Sequence, residues 1–379
     1  MASQRSMWLV ALLLSLCFSV SQAQSSIIEV CPENPIQQRG ATFEPSGIIL
    51  TSFDSTALWV YDIGRNTRYP LPETSPCTSN CHLSPDAQWL IYLNPQTFVF
   101  SKMRLNGTQR TPLVSDASEV RWWNQETLLI WTTDQEVYLR PEADVSAELT
   151  PLQSDGVISM QPNGYFALQL TGTNGTFTRS LIDLNSPDAM PITLAPDRNY
   201  FNGAGWSPDG RFLAYVGEGQ TDSNGFTGGE LYFISPSSGE IQQATNLTDN
   251  YGAVRINGFA PSDLSWSPDS SQIAFWVIDL TGDNPAQDTG DAVLHVLDTN
   301  TQELRRYCGF TATEHTPETP RLIWSPDSSH VAFASNVSGD DKGALLLALN
   351  VETGIFTELS NGMFPVFGIP QLNAWGTVP

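Results

Sequence analysis

Gly205-Trp206-Ser207-Pro208-Asp209-Gly210-Arg211-Phe212-Leu213-Ala214-Tyr215 carries a pattern to which the chain keeps returning. Trp266-Ser267-Pro268-Asp269 runs into Ile273-Ala274-Phe275, and Trp324-Ser325-Pro326-Asp327 into Val331-Ala332-Phe333. Leu83-Ser84-Pro85-Asp86 runs into Trp89-Leu90-Ile91-Tyr92. Each copy reads as a large apolar strand end, a tight turn and the start of the next strand. Ser, Pro and Asp suit a type I turn, because Pro presets φ while Ser and Asp bond nearby backbone. A feature repeated at equivalent positions is scaffold, whereas an active site is normally singular. Trp206, Pro208, Asp209, Trp266, Asp269, Trp324 and Asp327 are therefore expected to set turn geometry and packing, with the tryptophans as packing residues rather than sugar platforms.

Working outward, seven anchors of this kind follow an irregular segment at residues 25–41. They are Phe43, Leu83, Trp123, Met160, Trp206, Trp266 and Trp324, three of them with degenerate turns. The degenerate copies still lead into Ile48-Ile49-Leu50, Leu128-Leu129-Ile130 and Tyr165-Phe166-Ala167-Leu168. Spacings of about 40 to 60 residues fit a four-stranded unit with loops of variable length. The third strand recurs as Leu58-Trp59-Val60-Tyr61-Asp62 and as residues 231–234, 293–298 and 345–350. These runs are apolar on both faces, which suits sheets stacked between neighbours. No long stretch has helical period. The expected fold is all-β, a single β-propeller of seven four-stranded blades. Asn373-Ala374-Trp375-Gly376 reads as a further innermost strand that completes the first blade, so that N- and C-terminal segments close the ring together. Counts of eight or six blades are the alternatives.

Trp-Ser-Pro-Asp-(Gly/Ser) followed by an apolar-Ala-aromatic run resembles the PD40, or WD40-like, repeat of the TolB propeller family. The resemblance covers residues 42–379, clean in four copies. It implies the propeller and says little of function. TolB proteins carry an α/β domain ahead of the propeller, and residues 24–41 are too short for one, so the full TolB role is not expected here.

Residues 1–23 read as a signal peptide: Arg5, an apolar stretch over 7–20, and Ser21-Gln22-Ala23 as the cleavage site. A retained anchor is the alternative. Residues 24–41 then form an N-terminal tail, and 42–379 the propeller. A secreted or periplasmic protein is expected, with no membrane insertion after cleavage. The net charge is −23, and Lys102 and Lys342 are the chain's two lysines. Such a surface repels nucleic acid and anionic lipid and favours metal cations or basic partners. Export permits disulfides among Cys31, Cys77, Cys81 and Cys308. Cys77 and Cys81 suit a small local loop, leaving Cys31 for Cys308, near the closing seam. The rival, zinc, needs more ligands than Cys77-x3-Cys81-His82 supplies.

In an up-and-down blade the Ser-Pro-Asp turns all lie on one face. Long insertions at 217–230, 246–261, 279–291 and 311–320 fall on the other, over blades five to seven. Loops on a rigid scaffold commonly carry binding residues. This face is acidic: Glu218, Asp222, Glu230, Asp249, Asp263, Asp279, Asp283, Asp288, Asp291, Glu314, Glu318, Asp340 and Asp341. Asp279, Asp283, Asp288 and Asp291 form the candidate Ca²⁺ ligand set. They lack the spacing of a calcium loop, so a solvated polar loop is the simpler reading. No catalytic or cofactor-binding residue stands out, and no other cofactor is expected. Asn106, Asn174, Asn246 and Asn336 begin glycosylation-type triplets.

The expected function is a binding scaffold, monomeric, for a protein or cell-envelope component, through the acidic face of blades five to seven. The alternative is a carbohydrate-active enzyme with Asp or Glu from several blades at the central channel.

Overall fold

The computed structural model describes residues 26–40, 43–52, 57–77, 81–152, 155–173, 175–197, 203–223, 225–257, 264–279, 291–313, 319–336, 344–360 and 371–378. They form a ring of seven sheets, antiparallel but for one added strand in each of two, with one short helix, Leu247–Tyr251. Blades 2 to 5 each take four consecutive strands, as in Leu213–Thr221 between Ala204–Trp206 and Thr227–Ser235, with Glu240–Gln243 outermost. No helix among the described residues is long and apolar enough to cross a membrane.

Why the strands are apolar on both faces is visible in the packing. Successive side chains of a strand point to opposite faces, and each face meets a different neighbouring blade. In blade 1, Ile48 and Leu50 pack with Leu90 and Met103 of blade 2, whereas Ile49 packs with Ala332 and Leu346 of blade 7. Blade 3 repeats the division: Leu128 and Ile130 join blade 2, and Leu129 joins blade 4. Seven buried clusters result, each lying between adjacent blades. The core is a ring of interfaces, and each blade buries both of its faces against neighbours among the described residues.

The repeated turns have one construction. Ser207 Oγ donates to Asp209 Oδ1 (2.7 Å) and accepts from Phe212 N (3.0 Å), while Arg211 N donates to Asp209 Oδ1 (3.0 Å). Ser84, Ser267 and Ser325 do the same with Asp86, Asp269 and Asp327. The next residue is left-handed in every copy: φ is +56° at Ala87, +71° at Gly210, +63° at Ser270 and +61° at Ser328. A type I turn followed by a left-handed residue matches the twist of the strands it joins. Neighbouring turns are also linked, since Asp209 N donates to Ser270 Oγ and Asp269 N to Ser328 Oγ.

The ring closes through Gln371–Gly376, which pairs antiparallel with Ile48–Ser52 and sets Trp375 opposite Ile49. Trp375 Nε1 donates to Ser46 O (3.0 Å), and Thr377 N reaches Ala87 O in blade 2 (2.8 Å). Trp375 thus stands where the sequence pattern set Phe43. Phe43 belongs to no strand and packs instead against the cluster between blades 7 and 1.

The segment expected to be irregular is a strap. Ile27–Val30 adds a parallel fifth strand outside Leu304–Thr313 of blade 6, and Ile36–Gln38 does so outside Phe356–Glu358 of blade 7. Arg39 then bonds Tyr61 and Ile63 of blade 1. The Cys31–Cys308 disulfide fastens this strap to blade 6, so it lies at that blade's outer edge and not at the seam. Cys77–Cys81 is the second, local, disulfide. The group Glu29, Cys31 and Cys308 is close enough to suggest a metal site, but a disulfide offers no thiolate.

Candidate functional site: the loop face and the channel wall

The 217–230 insertion is not a loop. Leu213–Thr221 and Thr227–Ser235 form an extended hairpin whose paired register reaches Thr221 opposite Thr227. Asp222 closes its tip, its Oδ1 accepting from Phe226 N at 2.9 Å. That carboxylate is occupied with turn geometry.

Glu230 is the larger correction. It is 1% exposed, not part of a solvated acidic surface. Its carboxylate accepts from Thr245 Oγ1 (2.6 Å), Leu247 N (2.9 Å) and Thr248 N (2.8 Å). The first two helical N–H groups of Leu247–Tyr251 need such an acceptor, and the Asn246 side chain at the N-cap does not cap them, its Oδ1 accepting from Gln243 Nε2 instead (3.0 Å). Glu230 is therefore a cap supplied from another strand. Burial pushes its carboxyl pKa up, against the pull of those hydrogen bonds. Sequence reasoning missed this because the helix lies more than a strand away. The available signal was a single Glu in an otherwise buried run ahead of Leu231.

The other end of the helix meets blade 6. Tyr251 Oη lies 3.2 Å from His295 Nε2, and His295 Nδ1 is 3.0 Å from Val293 O. The imidazole stacks on Phe275 and takes Tyr251 edge-on. Burial lowers its pKa to about 4. Around this framework Glu218, Asp249 and Asp291 are exposed. Asp279 ends one strand of blade 6 and Asp291 begins the next. Asp283 and Asp288 lie outside the described residues, as do Asp263, Glu314, Glu318, Asp340 and Asp341.

The tryptophans of the turns reach sideways. Trp324 Nε1 donates to Ser265 O (2.8 Å), Trp266 Nε1 to Gly205 O (2.9 Å) and Trp206 Nε1 to Ser159 Oγ (3.2 Å), each in the preceding blade. Trp122, the last residue of the strand Ala117–Trp122, and Trp123, just beyond it, diverge. Trp122 bonds back to His82 O and Trp123 forward to Gln161 O and Gly164 O.

Innermost strands line the ring's centre. Across blades 2 and 3 they bring together His82, Glu119 and Arg121: His82 Nε2 is 3.1 Å from Glu119 Oε1, and Arg121 Nε is 2.6 Å from the same oxygen. Burial alone would raise the Glu119 pKa. The His82 contact and the Arg121 charge overcome it and hold the carboxyl at about 2. Burial lowers the His82 pKa, Glu119 opposes this, and Arg121 and the more distant Arg321 of blade 7 add to it. At neutral pH the trio is thus a carboxylate paired with a guanidinium beside a neutral imidazole. Glycoside hydrolysis would need two facing carboxyl groups about 5–10 Å apart. Among the described innermost-strand residues Glu119 is the one carboxylate, and it is already ion-paired.

No family model matches the chain, and no curated protein matches it in sequence. Solved structures similar in shape include TolB from Acinetobacter baumannii, 13% identical over 95% of this chain and 98% of that one, with a TM-score of 0.43. An oligogalacturonate lyase from Vibrio parahaemolyticus is 11% identical over 83% of this chain and 86% of its own, with a TM-score of 0.49. Puromycin hydrolase is 15% identical over 86% of this chain, with a TM-score of 0.50, and this chain covers 55% of its length. That last likeness is one of fold alone.

Proposed function

We propose that this protein is an extracytoplasmic β-propeller scaffold that binds a basic protein or cell-envelope partner through the loop face of blades 5 and 6. The observation that carries the reading is the placing of exposed Glu218, Asp249 and Asp291 around the projecting hairpin and the capped helix of that face. Paired strands present Glu218 and Asp291 and the capped helix, seated at neutral pH, presents Asp249, so little ordering cost falls on binding. The net charge of −23 adds long-range attraction for cationic surfaces. The two disulfides and the signal-like residues 1–23 support export.

The test uses the mature chain as bait in the native envelope or secretome, beside a Glu218→Gln, Asp249→Asn, Asp291→Asn triple variant. The expected result is a partner held by the wild type, released by salt, and recovered at least tenfold less by the variant. Equal recovery by both, or no partner together with cleavage of a glycan panel, would sink this reading.

A further inference from the structure

We infer that the one-turn helix Leu247–Tyr251 is an acid-released flap, with His295 beneath it as the trigger. His295 is 1% exposed and sits in the third strand of blade 6 under the helix. Its two ring contacts assign the tautomer: Nδ1–H donates to Val293 O, and Nε2 accepts from the Tyr251 hydroxyl. The groups facing the ring offer little to a second proton. On one neighbouring strand its register partner is Phe275; on the other it is Arg306, whose charge opposes protonation. Glu29 of the strap pairs with Arg306 at 3.0 Å and does not displace that effect. Val254–Ile256, the strand after the helix, brings the buried Arg255. The helix itself brings Tyr251, with Asp249 exposed on its outer side.

A protonated imidazole here is a cation at the edge of an apolar cluster between blades 5 and 6, which is costly unless it reaches water. The half-buried Tyr251 covers it, so the cation is relieved when Tyr251 lifts. At the helix's other end, Glu230 responds in the opposite sense. Its pKa is raised in the closed state, so the closed form holds a proton more tightly than the open one, and acid does not withdraw it. Tyr232 on its own strand, Glu218 on the paired strand, and Asp249 and Arg255 nearby are the charged or titratable groups around it. Acid therefore frees the Tyr251 end while the Leu247 end stays seated. Closure is strongest above pH about 6.5, the free imidazole value, and weakens as pH falls toward about 4. The flap belongs to the face proposed to bind, but the latch stands on its own contacts whether or not that face has a partner.

Hydrogen exchange measures it. Protection factors for amides of 247–256 are compared at pH 7.5 and 4.5 in the whole protein, with Trp89–Leu93 of blade 2 as internal reference. The wild type should lose protection roughly seventyfold, as one proton whose pKa drops from about 6.5 to about 4 on closure dictates over this interval, while the reference changes little. His295→Phe keeps an aromatic ring on Phe275 without a titrating nitrogen, and should lose less than threefold. His295→Gln serves if the Phe variant misfolds. Unchanged protection in the wild type, or an equal loss in the wild type and either folded variant, overturns the inference.

Discussion

Ser267 does two jobs with one hydroxyl. It is fully buried, donates to Asp269 Oδ1 at 2.6 Å and accepts from Gln272 N at 2.9 Å, where the next strand begins. Ser267→Ala strands the Gln272 N–H, while Asp269 Oδ1 keeps its bonds from Ser271, at a cost of about 1–3 kcal/mol. Urea unfolding should show this as a lower midpoint with an unchanged slope; a variant as stable as the wild type would remove the turn network from the account of the fold. This much was legible in the sequence, because the hydroxyl, ring and carboxylate act within six residues of one another. Glu230 was not, although its chemistry is as definite. Its partners Thr245, Leu247 and Thr248 come from a connection after the next strand. Position along the chain put Glu230 among surface acids, and only tertiary structure buries it.

At the scale of elements, the closing strand and the strap differ in the same way. Asn373-Ala374-Trp375-Gly376 repeats the anchor pattern with nothing after it, and a lone strand must find a sheet. Ile27–Val30 and Ile36–Gln38 are short, mostly exposed and join outer edges, so neither period nor apolar content marks them. The closing strand can be tested at one atom. Gly47 has φ +116°, and a Cβ there would lie 2.3 Å from Gly376 O and 3.0 Å from Trp375 Nε1. Ala at this position meets both backbone strain and a clash with the very strand that closes the ring. Gly47→Ala should lower stability by about 2 kcal/mol or more, and removing residues 371–379 should depress the melting temperature further. If truncation leaves the melt unchanged while Gly47→Ala destabilises, the clash is local and the ring closes by other means.

Across the whole molecule, two electrostatic effects oppose each other as pH falls. The acidic surface, at net −23, repels itself at neutral pH and is relieved as carboxylates protonate. Three histidines, two of them buried and one half-buried, act the other way. His82, His295 and His330 all have pKa values lowered chiefly by burial, so the unfolded chain takes up protons first. Their contribution is complete above pH about 6.5 and is lost as pH drops below that value, for His295 until about 4. From that interval His295 alone carries about 3 kcal/mol. Glu119, held at about 2, adds a further loss between its ordinary carboxylate range and that value. Salt separates the two effects. Surface repulsion acts over distances that a Debye length of about 8 Å at physiological ionic strength largely screens, whereas the buried groups are shielded from salt. At 0.5 M NaCl the melting temperature should therefore fall steadily from pH 7.5 to 4.5. At 10 mM the fall should be shallower, and salt added at pH 7.5 should raise the melt. A melting temperature that rises toward pH 4.5 in high salt would mean that surface repulsion, not histidine burial, governs the stability of the ring.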